Sequence, residues 1–262
     1  MQTKTKSWIN LVLLVLTLII NALGGTGQIN GTSQGEVSDM YHTLITPAGF
    51  AFSIWSMIYG LLFISLIVMI VKSENRYYRK VIDAITPYLW ISFITNMLWI
   101  VTFSYLQIGI STVFIIIYLV YLTLIVQKIK QLHDNNHWLI PLTFGLNTGW
   151  VFIASVVNIA AFLVQIEWNR FGISENTWAI IILWVAFILS GIVMLFLKNA
   201  VFSLPIAWAM FAINRELQSA DVGFLLRLTP LILSVLLVII SVYLFIRNDK
   251  NIYPTPKKTY TY

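Results

Sequence analysis

Between Asp83 and Lys128 the chain runs through residues 84–127, 44 in all, without one charged side chain. Few folds can house such a stretch. About 20 consecutive apolar residues cross the hydrocarbon of a bilayer as a helix, so 44 predict a helical hairpin, turned here at Tyr105–Gly109. Apolar residues follow one another instead of alternating with polar ones, which favours helices over a membrane β-barrel. Composition extends the argument to the whole chain: 59% of residues are hydrophobic, 10% are charged and mean hydropathy is +0.84. Soluble domains carry far more charge.

The pattern predicts an all-α integral membrane protein, a polytopic bundle of about eight transmembrane helices. They fall near 7–24, 49–71, 85–105, 109–127, 138–164, 177–197, 199–213 and 225–246. The seventh is short for a span. With the N-terminus inside, thirteen lysines and arginines face the cytoplasm and Arg170, Arg215 and Arg227 face outward. That asymmetry satisfies the positive-inside rule and places both termini in the cytoplasm. Dropping the seventh helix would move the lysine-bearing C-terminus outside. The net charge of +6 is thus a topology signal, and no nucleic-acid partner is expected. Lys4 and Lys6 before an apolar run also fit a signal peptide, but the run is long for one and a retained helix is favoured. The expected location is a cell membrane of the bacterial inner-membrane kind. The Gly/Ser/Thr-rich segment 25–48 reads as an outer loop or a lid, 72–83 as a basic inner loop, and the tail from Asn248 as polar and disordered.

Catalytic signatures are missing. There is no cysteine, hence no thiolate chemistry or disulfide, and no nucleophile elbow, phosphate loop or zinc-protease helix. His133 and His137 have metal-compatible spacing, but they sit in a basic loop expected to be solvated, so no metal site is assigned. No Asp, Glu, Lys or Arg falls in the middle of a predicted span, which argues against a carboxylate-driven proton relay. The chain is not expected to be an enzyme.

The spans carry aromatic and amide groups at helical spacing instead. Phe52, Trp55 and Tyr59 share a face of the second helix; Asn96, Trp99 and Phe103 repeat the pattern on the third. Asn147, Trp150, Ala154 and Asn158 form a stripe on the fifth. An amide or indole N–H in hydrocarbon must find a partner. Such stripes either cement helices together or converge on a planar apolar ligand.

The stretch Pro47-x-Gly49-x-x-Phe52-x-x-Trp55-x-x-x-Tyr59 resembles the second-helix signature of the TspO/translocator-protein family, the tryptophan-rich sensory proteins. Asn96-x-x-Trp99 with Phe103 is similar to its third-helix motif, and Trp150 with Asn158 to its fifth. The resemblance covers residues 7–165 and implies a five-helix core with an outward pocket capped by the loop after helix one. It also implies dimer formation and binding of tetrapyrroles such as protoporphyrin or haem, as ligands and not as required cofactors. Carried over, Phe52, Trp55, Asn96, Trp99, Trp150, Ala154 and Asn158 line the pocket and Pro47 anchors the lid; Tyr59, Phe103 and Asn147 join them as candidates. Thr46-Pro47 replaces the usual Pro-Pro pair, and residues 166–247 add about three helices before the tail at 248–262. The expected function is a TspO-like receptor, sensor or transport regulator for a planar hydrophobic small molecule. A small-molecule exporter using the extra helices is the alternative.

Overall fold

The structure, a computed structural model, describes residues 1–134 and 136–254. Its α-helices are α1 (Thr3–Gly25), α2 (Gln34–Met40), α3 (Ile54–Val71), α4 (Arg76–Ser104), α5 (Ile108–Leu132), α6 (Leu139–Gln165), α7 (Glu175–Leu197), α8 (Ser203–Glu216) and α9 (Phe224–Arg247). No strand occurs among the described residues. Among the described residues, seven segments are long and apolar enough to cross a membrane. The protein is a polytopic helical membrane protein.

Two expectations change. The basic segment 72–83 is mostly helix, because the Asn75 side chain accepts the Tyr77 N–H and starts α4 at Arg76. The predicted seventh span, 199–213, becomes α8 at Ser203–Glu216, whose 14 residues cover only about 21 Å at 1.5 Å per residue. It still runs from one end of the bundle to the other with its flanking turns. Asn199 Nδ2 donates to the Pro141 carbonyl at the start of α6 (3.1 Å), while Ala212 O accepts the Ala48 N–H of the lid segment (3.3 Å).

Helix α6 is the axis of the bundle. Every residue from Thr143 to Ile153 is buried, the signature of a helix surrounded by protein. Gly145 and Gly149 let α8 approach it. A Cβ on Gly149 would collide with the Phe202 carbonyl, and one on Gly145 would meet the Asn199 amide. The outer helices α1, α7 and α9 keep apolar side chains such as Val12, Ile188 and Ile239 exposed, as lipid-facing surfaces require.

Hydroxyls and amides fasten the helices to one another. Asn10 Nδ2 of α1 donates to Thr86 Oγ1 of α4 (3.1 Å) and Asn10 Oδ1 accepts from Trp90 Nε1 (2.8 Å). Ser65 on α3 pairs with Thr143 on α6 (2.8 Å). Along the α8–α9 seam Ser203 donates to the Leu237 carbonyl, Ser234 to that of Ala207 and Asn214 to that of Arg227.

The lid is more ordered than a Gly/Ser/Thr-rich composition suggests. Ser33 and Glu36 form a reciprocal capping box that starts α2. Its Val37 is fully buried against Phe103, Ile108 and Ala161. Asn30 Nδ2 donates to the Ser104 carbonyl (3.2 Å), tying the lid to the end of α4.

The opposite end of the bundle also departs from expectation. Tyr253 is buried and its hydroxyl donates to the Val126 carbonyl (3.2 Å), so the tail docks through residue 253. Residues 255–262 of the predicted tail lie outside the described residues. His133, expected in a solvated loop, is buried with its ring edge-on to Tyr253. Burial pushes its pKa below the ordinary 6.5. His137 parts from it and stacks on Tyr77, with Nδ1 on the Asp134 carboxylate. No group of three His, Cys, Asp or Glu poised to hold a metal occurs among the described residues.

Candidate ligand pocket

Thr46-Pro47-Ala48-Gly49 brings the lid back into the bundle. The Thr43 N–H donates to Thr46 Oγ1 (2.9 Å), closing a turn just before Pro47. Gly49–Ser53 then forms a 3-10 turn instead of the first turn of an α-helix, and Trp208 Nε1 of α8 pins its Ala51 carbonyl (3.1 Å). Phe52 therefore projects from this turn, and Trp55 from the start of α3.

Three helices deliver rings to one place. The Trp55 ring lies 6.1 Å from that of Trp99 on α4 and 6.0 Å, edge-on, from that of Trp150 on α6. Trp99 continues to Phe103 at 6.4 Å. These separations suit tilted and T-shaped aromatic contacts, in which ring edges meet ring faces. The rings enclose a cavity of about 50 Å³.

Pro47, Phe52, Trp55, Trp99, Phe103, Trp150, Ala154 and Asn158 all line this cavity. Tyr59, Asn96 and Asn147 do not. The Tyr59 hydroxyl donates to Asn21 Oδ1 (2.8 Å), Asn21 Nδ2 to Asn96 Oδ1 (2.7 Å) and Asn96 Nδ2 back to the Tyr59 hydroxyl (3.4 Å). That closed triangle joins α1, α3 and α4. Asn147 Oδ1 accepts from the Tyr118 hydroxyl (3.3 Å), joining α5 to α6. These three are the interhelical cement that an amide in hydrocarbon can also be.

Sequence reasoning missed Gln34 and Ser38 from α2, Ile153, Val157 and Ala161 from α6, and Ala209 from α8. The capping box at Ser33 was a readable sign of α2. Ala209 carried no sign, because its place depends on α8 packing at Gly149.

Asn158 belongs to the wall and to the cement at once. Its Oδ1 accepts from Trp99 Nε1 (3.0 Å), and its Nδ2 donates to Ser111 Oγ (3.2 Å) and Thr112 Oγ1 (2.7 Å). Both of its amide protons are engaged, so it has none left for a ligand. Trp150 differs: its Nε1 is buried and has no partner among the described residues. The lining contains no Asp, Glu, His, Lys or Arg, so the site offers mostly flat apolar surface, polar side chains at Gln34, Ser38 and Asn158, the unpartnered Trp150 N–H and no acid–base pair.

No curated protein and no solved structure matches the chain. Residues 7–244, 238 of the 262, match the family described as TSPO-like protein, and the match runs through α7 and α8 and nearly to the end of α9. The chain therefore belongs to the TSPO-like protein family.

Proposed function

We propose that this membrane protein is a receptor or transport regulator that binds one planar hydrophobic molecule, a tetrapyrrole or a ligand of similar shape, between α3, α4 and α6. The observation that carries the reading is the convergence of Trp55, Trp99 and Trp150 around a cavity whose wall holds an unpartnered indole N–H. Flat rings pack against a flat apolar ligand, and a few placed polar groups, the Trp150 N–H among them, fix its orientation.

A cavity of about 50 Å³ is far smaller than the roughly 300–1,000 Å³ of ligand sites, so binding requires the wall to open. Phe52 and Trp55 are the half-buried rings, whereas Trp99, Phe103 and Trp150 are buried. Opening is therefore assigned to the lid side, where Phe52 and Trp55 swing outward.

The additional helices support a binder over an exporter. They are fixed to the core at Gly149, at the Asn199–Pro141 bond, at the Trp208–Ala51 bond and at the Tyr253–Val126 bond. Alternating access would have to break such contacts at both ends of the bundle.

The test is protoporphyrin binding to purified protein, read by tryptophan quenching and by the porphyrin absorption band. Trp150→Phe keeps an aromatic ring, though a smaller one, and removes the donor, so affinity should fall about tenfold, the loss of one hydrogen bond of about 1.4 kcal/mol. A folded Trp150→Phe variant that binds as tightly as wild type overturns the role of the indole N–H. Reconstituted liposomes should show no gradient-driven flux of the porphyrin.

A further inference from the structure

A second and larger cavity, of about 320 Å³, lies where the end of α6, the start of α7 and lid residues Thr43–Ile45 meet. Leu163 and Ile182 contribute apolar lining, and Glu167, Arg170 and Glu175 contribute charge. The guanidinium forms no ion pair with either carboxylate among the described residues. Its Nε is buried without a hydrogen-bond partner. A buried guanidinium N–H lacking an acceptor is a costly arrangement unless a ligand supplies one.

Backbone geometry holds the arginine where it is. Arg170 and Phe171 take φ of 55° and 54°, a left-handed conformation that non-glycine residues rarely adopt. The Phe171 N–H donates to Asn169 Oδ1 (3.1 Å), fixing that turn. Trp168 and Trp178, ring centroids 4.8 Å apart, line the same cavity beside the end of α6 and the start of α7, the helix-end position that aromatic residues favour in membrane proteins. Helix α7 packs mainly on α9 and only lightly on α5 and α6, which leaves the α6–α7 seam open beside the exposed lining residue Val164.

We propose that this cavity binds the headgroup of a zwitterionic phospholipid of the phosphatidylethanolamine class. Its phosphate accepts from Arg170, the kind of charge-assisted bond guanidinium forms best. Its ammonium lies between Glu167 and Glu175, and its first methylenes lie on Leu163 and Ile182. Two carboxylates beside one guanidinium disfavour a purely anionic headgroup. The apolar lining and the open seam favour a lipid over a soluble zwitterion, since the acyl chains must leave a cavity of this size sideways.

The experiment is native mass spectrometry of delipidated protein titrated with dioleoyl phosphatidylethanolamine, phosphatidylglycerol, phosphatidylcholine and soluble glycerophosphoethanolamine. Phosphatidylethanolamine should occupy one site at least tenfold more tightly than the other three. Arg170→Gln should weaken it at least tenfold and Arg170→Lys should restore part of the loss. Glu167→Gln with Glu175→Gln should shift preference toward phosphatidylglycerol, a gain that misfolding cannot mimic. Equal binding of phosphatidylethanolamine and phosphatidylglycerol, unchanged in both variants, overturns the proposal. Phosphatidylcholine binding equally well removes the ammonium–carboxylate contact and overturns it too. Binding of the soluble headgroup as tightly as the lipid overturns the assignment to a lipid.

Discussion

Asn158 and Trp150 lie eight residues apart on α6 and line the same cavity, yet their removal should have opposite consequences. Asn158→Ala deletes three side-chain bonds at once, to Trp99, Ser111 and Thr112. At about 0.6 kcal/mol for an average hydrogen bond between membrane helices, the three sum to about 2 kcal/mol. Ser111 and Thr112 keep their bonds to the Ile108 carbonyl, so the one group stranded is the Trp99 N–H, which adds about 1 kcal/mol. A loss of about 3 kcal/mol is roughly a hundredfold in the folding equilibrium. Trp150→Phe breaks no hydrogen bond, and the lost ring volume is offset by removal of a buried, unpartnered N–H, so stability should change by less than about 1 kcal/mol. The assay is reversible unfolding in mixed micelles titrated with a denaturing detergent, followed by circular dichroism. An Asn158→Ala variant as stable as wild type would refute the cement role. A Trp150→Phe variant as unstable as Asn158→Ala would mean that the indole N–H has a structural partner after all.

Other outcomes follow from the same contacts. Gly149→Ala should destabilise the fold by about 1–3 kcal/mol, because the new methyl meets the Phe202 backbone carbonyl and not a side chain that can turn away; the same detergent titration reads it. Tyr59→Phe should cost about 1 kcal/mol by opening the Asn21–Tyr59–Asn96 triangle, without weakening porphyrin affinity at matched fraction folded. The docked tail should loosen in mild acid. The pKa of folded His133 lies below 6.5, so the loosened form binds the proton first; docking is fully stable above 6.5 and weakens as pH falls from there toward the folded pKa. Limited trypsin cleavage at Lys250 should rise over that window in wild type and stay flat in His133→Phe. Protonating Glu36 removes the charged arm of the α2 capping box. Its carboxyl is held below the ordinary range by the Ser33 backbone and hydroxyl, so hydrogen exchange in α2 should quicken only on acidification below that lowered pKa.

The spans were readable because lipid imposes a demand that sequence must meet locally: a long uncharged run admits few structures in hydrocarbon. The aromatic stripes were readable for a related reason, since Trp at helical spacing is a poor choice for facing lipid. What a stripe could not reveal was the direction in which each member looks. Tyr59 lies on the same helix as Trp55 and stacks on it, ring centroids 4.9 Å apart, but its hydroxyl reaches Asn21, a residue of α1 outside every stripe. Asn96 follows the same bond away from the pocket. The roles of α8 and the tail were hidden because they rest on pairings far apart in sequence. Ala51 with Trp208 and Val126 with Tyr253 are examples, and neither has a local pattern. The buried His133 was misplaced because its loop is polar, while the side chain that covers it lies at Tyr253.

Between the middles of the spans the cement is made of amides and hydroxyls, while the formal charges of α1, α4, α5 and α8 lie within the first or last eight residues of each helix, where Lys6 pairs with Asp83, and Arg227 lies near the start of α9. The electrical potential across a membrane acts on displaced charge, about 2.3 kcal/mol for each elementary charge carried across 100 mV. A rearrangement around the Trp55–Trp99–Trp150 pocket moves no such charge through the field. The balance between closed and opened pocket should therefore be the same in an energised membrane and in a collapsed one, leaving ligand concentration, and not membrane voltage, to set it.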